Sequence, residues 1–109
     1  MTRAAFTLQG RNIVAVRIDG HSGYAEEGSD IVCAGVSSAV MLVHALLCDV
    51  MGMEISTRVE MQTPLIELRI PQQLDPGIQQ RVQDAMAALM VHLTALQEQY
   101  PDYLSVLEV

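Results

Sequence analysis

The chain has 109 residues and a mass of 11.9 kDa, which fits one domain spanning 1–109 with a modest core and leaves oligomerisation open. Half of the residues are hydrophobic and only 17% are charged, which excludes a disordered chain. Thirteen acids against six bases give a net charge of −7, and all six bases, Arg3, Arg11, Arg17, Arg58, Arg69 and Arg81, are arginines scattered along the sequence. A surface that tracks phosphates needs clustered positive charge, so no direct contact with nucleic acid is expected, and a basic partner suits this surface better.

From the N-terminus, Ala5 to Gln9 reads as a short strand and Gly10-Arg11-Asn12 as a hairpin turn. Ile13 to Asp19 follows as a half-buried strand, with Val14, Val16 and Ile18 on one face and Ala15, Arg17 and Asp19 on the other. Gly20 to Ser29 is a glycine-bearing loop. Ser29 or Asp30 then caps a helix that runs to about Val50 and is closed by Gly52. Its uncharged run Ile31 to Cys48 touches the length of a membrane span. Polar Ser37, Ser38 and His44, flanking Asp30 and Asp49, and the lack of a nearby Arg favour a helix buried in a core, so no membrane is expected.

Ile55, Thr57, Val59 and Met61 alternate on a third strand. Beyond Pro64, Ile66, Leu68 and Ile70 alternate on a fourth, and the pair reads as a hairpin. Asp75-Pro76 opens a second helix with an apolar stripe of Ile78, Val82, Ala85, Met86, Leu89, Leu93 and Leu96, which Pro101 ends. Tyr103 to Val109 closes the chain as a strand. The order ββαββαβ predicts an α+β domain, two helices on one face of a mostly antiparallel or mixed sheet.

Chemistry concentrates between Gly20 and Ser38. His21 stands where a strand ends, and Cys33 lies in the first turn of a helix. Free N–H groups and the helix dipole favour an anion there, and the thiolate is the nucleophilic form of cysteine. An imidazole across the loop is the usual base for such a thiolate, and nearby N–H groups suit a developing oxyanion. Asp30 caps the helix or orients His21. Ser37, one turn beyond Cys33, either contacts substrate or is a small packing residue. With ~1.5 Å of rise per residue, Cys48 lies ~22 Å and His44 ~16 Å from Cys33, which removes both as partners. His44, Cys48 and His92 carry a metal-site alternative, and buried helix residues are the simpler reading of the first two. The glycines lack a phosphate-loop lysine and sit beside Glu26 and Glu27, so they read as mobility of a flap.

Gly20-His21, the loop, and Asp30-Ile31-Val32-Cys33-Ala34-Gly35-Val36-Ser37 resemble the small bacterial ribosomal-processing cysteine proteases, the Prp family. Two cysteines and no signal-peptide pattern lead us to expect a cytoplasmic protein, and no cofactor or metal is expected. The resemblance implies a homodimeric α+β endopeptidase. Its substrate would be a ribosomal protein precursor: the short N-terminal extension of large-subunit protein twenty-seven is removed. It implies a dyad of Cys33 as nucleophile and His21 as base, supporting roles for Asp30 and Ser37, and a gating loop containing Ser22, Gly23, Tyr24 and Gly28. It also implies an apolar groove for apolar and aromatic residues before the cut. Ser22, where the family commonly has a small apolar residue, and the acidic pair Glu26-Glu27 are departures that bear on the substrate sequence. The reading from a different class is a non-catalytic ribosome-associated binding module, in which Cys33 is merely a small buried helix residue.

Overall fold

The computed structural model of the chain describes every residue except 22–24, 26–29 and 61–63. The elements are β1 (Thr2–Gln9), β2 (Asn12–Asp19), α1 (Ile31–His44), β3 (Ser56–Glu60), β4 (Leu65–Arg69), α2 (Pro76–Gln99) and β5 (Leu104–Glu108). They form the expected ββαββαβ order, with one five-stranded sheet ordered β3-β4-β2-β1-β5. Adjacent pairs are antiparallel apart from β1 and β5, which run parallel. Parallel strands need a long crossover, and α2 supplies it between β4 and β5.

The inner face carries Ala4, Phe6, Val16, Ile18, Leu68 and Leu104. These share one core with Val32, Val36, Val40 and Leu47 of the first helix and Val82, Met86, Leu89 and Leu93 of the second. The α2 stripe is therefore buried as its 3.6-residue period requires, with Ile78 and Leu96 at its half-buried ends. Pro76 stands at the start of that helix, and Asp75 caps it through its main-chain carbonyl, which accepts from Gln79 N at 2.8 Å, rather than through its carboxylate.

Three sequence expectations are corrected. The first strand begins at Thr2, not Ala5, because its N-terminal end pairs with β5, a partner about a hundred residues away in sequence. In β2 it is Ile13 rather than Val14 that is buried. The pairing slips between Thr7↔Ala15 and Leu8↔Ile13, so Val14 is the extra residue of a bulge and the alternation changes phase there. Gln83 of α2 secures the bulge, with its Oε1 accepting from Ile13 N at 2.7 Å and its Nε2 donating to Ile13 O at 2.9 Å.

The third correction concerns charge. Four of the six arginines, scattered in sequence, come together on the outer face of the sheet: Arg3 lies opposite Asp19, Arg17 and Arg58 flank Glu67 from either side, and Arg69 lies between Ala15 and Ser56. They interleave with Asp19, Glu60 and Glu67 in a string of ion pairs, so this face is charged but not a bare basic patch.

The first helix continues as a π-helical segment, Ala45–Val50, and Gly52 at φ +70° ends it. Among the described residues, Ile31–Val50 is one helix long and apolar enough to cross a membrane. Its inward stripe, Val32, Val36, Val40, Val43 and Leu47, packs into the core. Ile31, Met41, Leu42 and Val50 remain exposed, so the helix is buried along one side only.

Candidate active site

Asp30 fixes how α1 begins. Its Oδ1 accepts from Val32 N and from Cys33 N, both at 3.0 Å, and its main-chain carbonyl accepts from Ala34 N at 3.1 Å. These are orphan donors of the first turn, so the carboxylate serves as the cap, and it is 9% exposed. The cap thereby sets the rotation of Cys33, which faces away from solvent-exposed Ile31 and Ala34 and is half-buried.

Cys33 opens onto a cleft of about 250 Å³. One wall is α1, through Cys33, Val36 and Ser37, which lie three and four residues apart on a single helical face. The floor is Thr2 and Ile18 from the sheet. The opposite wall is the β3–β4 hairpin, with Val59, Glu60, Pro64, Leu65 and Ile66. Gly20 and exposed His21 close the end where β2 stops. Cys33 and His21, paired from sequence, thus line one cleft, and Ser37 lines it as well. Asp30 lies behind Cys33 as the helix cap. Ser22, Gly23, Tyr24 and Gly28, assigned to a gating loop, lie outside the described residues.

Gly20 is placed by two constraints. Its φ is +84°, which only glycine adopts readily, and a Cβ there would stand 2.5 Å from the Met1 carbonyl oxygen. Its N–H donates to Pro64 O at 3.2 Å. The backbone that leads into His21 is therefore clamped between the start of β1 and the start of β4. Sequence reasoning missed Thr2 and the hairpin wall. Thr2 is 2% exposed, donates from Oγ1 to Gly20 O at 3.3 Å, and lies 3.6 Å from Cys33 Sγ. The signal that was available is its period-2 register with Ala4 and Phe6.

The remaining candidates lie elsewhere. His44 Nε2 is 3.1 Å from Thr57 Oγ1, joining the end of α1 to β3. Cys33 and Cys48 are not joined in a disulfide. Among the described residues, no three of His, Cys, Asp and Glu gather in a group able to hold a metal ion.

With Cys33 at a helix start, His21 lining the same cleft, and a five-stranded mixed sheet covered by two helices, the chain is a small α+β protein with a thiol-bearing cleft. Solved structures share the fold. Two crystal structures of the ribosomal processing protease Prp from S. aureus, one with a covalently linked product peptide and one with a substrate peptide, each match with a TM-score of 0.83. Their identities are 21% and 19%, and the match covers 100% of both chains. A protein from Streptococcus mutans matches with a TM-score of 0.84 at 24% identity, over 100% of this chain and 94% of that one.

In sequence, the family described as cysteine protease Prp matches residues 1–105. The ribosomal processing cysteine protease Prp of Bacillus subtilis (strain 168) is 28% identical over 96 residues, 88% of this chain and 86% of that protein. The chain belongs to the cysteine protease Prp family.

Proposed function

We propose that the protein is a cysteine endopeptidase that removes the N-terminal extension of bacterial large-subunit ribosomal protein twenty-seven, with Cys33 as nucleophile and His21 as its acid–base partner. The observation that carries this reading is that the two side chains line one cleft, from elements twelve residues apart in sequence. The thiolate of Cys33 attacks the scissile carbonyl carbon, and the carbonyl oxygen takes the negative charge beside the first turn of α1. As the tetrahedral adduct collapses, the C–N bond breaks and imidazolium His21 gives its proton to the leaving amine. That step leaves a thioester on Cys33. His21 then takes a proton from water, whose hydroxide adds to the thioester carbonyl, and the carboxylic acid product leaves with the sulfur restored.

The walls of the cleft support an apolar substrate. Ile18, Val36, Val59, Leu65 and Ile66 suit the apolar and aromatic residues that precede the cut in family substrates. Glu60 at the rim and a net charge of −7 suit a basic ribosomal protein, through an attraction that speeds encounter more than it tightens binding. Asp30 and Ser37 take supporting roles, and the loop with Ser22, Gly23, Tyr24 and Gly28 takes the gate. We read the enzyme as a cytoplasmic homodimer, and the exposed Met41 and Leu42 on α1, with Val50 at the end of the π-helical segment, offer apolar surface for a second copy.

Mass spectrometry of the extended ribosomal protein tests the reading. Wild type releases the leader, Cys33→Ala does not, and Cys48→Ala cleaves like wild type. An uncut substrate that co-elutes with wild-type protein overturns it in favour of a binding module.

A further inference from the structure

The side chain at the base of the cleft, Thr2, carries a hydroxyl that touches the Cys33 sulfur and the backbone carbonyl just before His21. Thr2 Oγ1 lies 3.3 Å from the carbonyl oxygen of Gly20, the residue leading into His21, and 3.6 Å from the sulfur of Cys33. Its backbone is fixed, because Thr2 N donates to Tyr103 O at 3.0 Å. Thr2 as a residue is 2% exposed, so water competes little for these partners.

A hydroxyl has one proton to give. When Cys33 is a thiol, the S–H donates to Thr2 Oγ1, and the Thr2 hydroxyl donates to Gly20 O. When the sulfur is ionised it can only accept, and the Thr2 hydroxyl turns its proton to it. The rotor keeps the same two neighbours in both states, so ionisation is accommodated without moving backbone. We propose that Thr2 is a positioning residue for the thiolate, a pre-placed donor that orients the Cys33 sulfur toward the cleft and holds it in register with the backbone entering His21. This inference rests on the peptidase reading above, and it adds a group from β1 to the two that the sequence pairs.

Loss of one hydrogen bond to a charged atom, taken at the weak end for sulfur, corresponds to ~1.4 kcal/mol, or about tenfold in rate. The experiment is alkylation of the full chain by iodoacetamide at neutral pH. Cys33 and Cys48 are followed separately by peptide mass mapping in wild type, Thr2→Val and Thr2→Ser. Valine keeps the shape and the strand preference, so the fold is expected to survive.

Cys33 slows about tenfold in Thr2→Val and stays within about threefold in Thr2→Ser, while Cys48 reacts alike in all three. Leader cleavage by Thr2→Val shows a lower kcat with KM unchanged. Equal Cys33 rates in wild type and Thr2→Val overturn the proposal, as does a loss shared equally by the serine variant or one confined to KM. Should Thr2→Val not fold, Thr2→Ala against Thr2→Ser decides by the same criterion. If wild type cleaves nothing, the peptidase reading falls, and the alkylation series still decides the role of Thr2.

Discussion

Replacing Asp30 separates its two candidate roles, the helix cap and the orienter of His21. In Asp30→Ala, Val32 N and Cys33 N each lose an acceptor held at 3.0 Å, in a place where the carboxylate is only 9% exposed and water cannot readily substitute. Removing a capping side chain costs about 1 kcal/mol on average and up to ~2 where it is well enclosed, so ~1.5–2 kcal/mol is expected. For a domain of about this size each kcal/mol moves Tm by about 4–8 °C, which gives a drop of roughly 6–16 °C. Asp30→Asn keeps Oδ1 as an acceptor and should stay within about 0.5 kcal/mol of wild type. Thermal unfolding followed by circular dichroism measures both variants. An alanine variant that melts within about 2 °C of wild type refutes the capping argument. Leader cleavage completes the separation: an asparagine variant with normal Tm and normal kcat acts through the cap alone, whereas normal Tm with depressed kcat assigns the negative charge to His21.

Gly20→Ala forces an L-residue into φ +84° and its Cβ to 2.5 Å from the Met1 carbonyl oxygen. The left-handed conformation alone costs ~1–2 kcal/mol, and the clash adds to it, so Tm should fall by about 10 °C or more and cleavage with it; an unchanged melt would show that the clamp is slack. Gln83→Leu strands both main-chain groups of Ile13, so chemical denaturation should show ~1–3 kcal/mol of lost stability, and a midpoint equal to wild type contradicts the bulge bracket. Arg17→Ala removes contacts to Asp19 and Glu67 on the exposed sheet face; it should cost under ~1 kcal/mol by the same assay, and a larger loss would mean that the ion-pair string acts as one network.

The sequence was most legible where one local rule decided the outcome. Pro76 and Pro101 bracket an uninterrupted helical stripe, and α2 runs from Pro76 to Gln99 accordingly. Asp30 announces the start of α1, and with it the first-turn position of Cys33. His21 follows a strand end marked by Gly20, so its place at one end of the cleft was also readable. Features set by distant pairing were not. The start of β1 depends on β5, the phase of Val14 depends on a slip opposite Thr7, and the gathering of four arginines depends on strand order. The same holds within the cleft. Thr2 meets Cys33 across thirty-one residues, and Val59, Glu60 and Pro64 form a wall because the β3–β4 hairpin pairs with β2 rather than with its own sequence neighbours.

The pairing of β1 with β5 carries a consequence for how the cleft is braced. Thr2 N is held by Tyr103 O, and the register from Thr2↔Leu104 to Phe6↔Glu108 joins two segments about a hundred residues apart in sequence. Without residues 104–108, β1 keeps its antiparallel pairing with β2 but loses the partner on its other edge. Loss of β5 therefore turns β1 into an unprotected sheet edge and loosens the end of the cleft floor that Thr2 supplies.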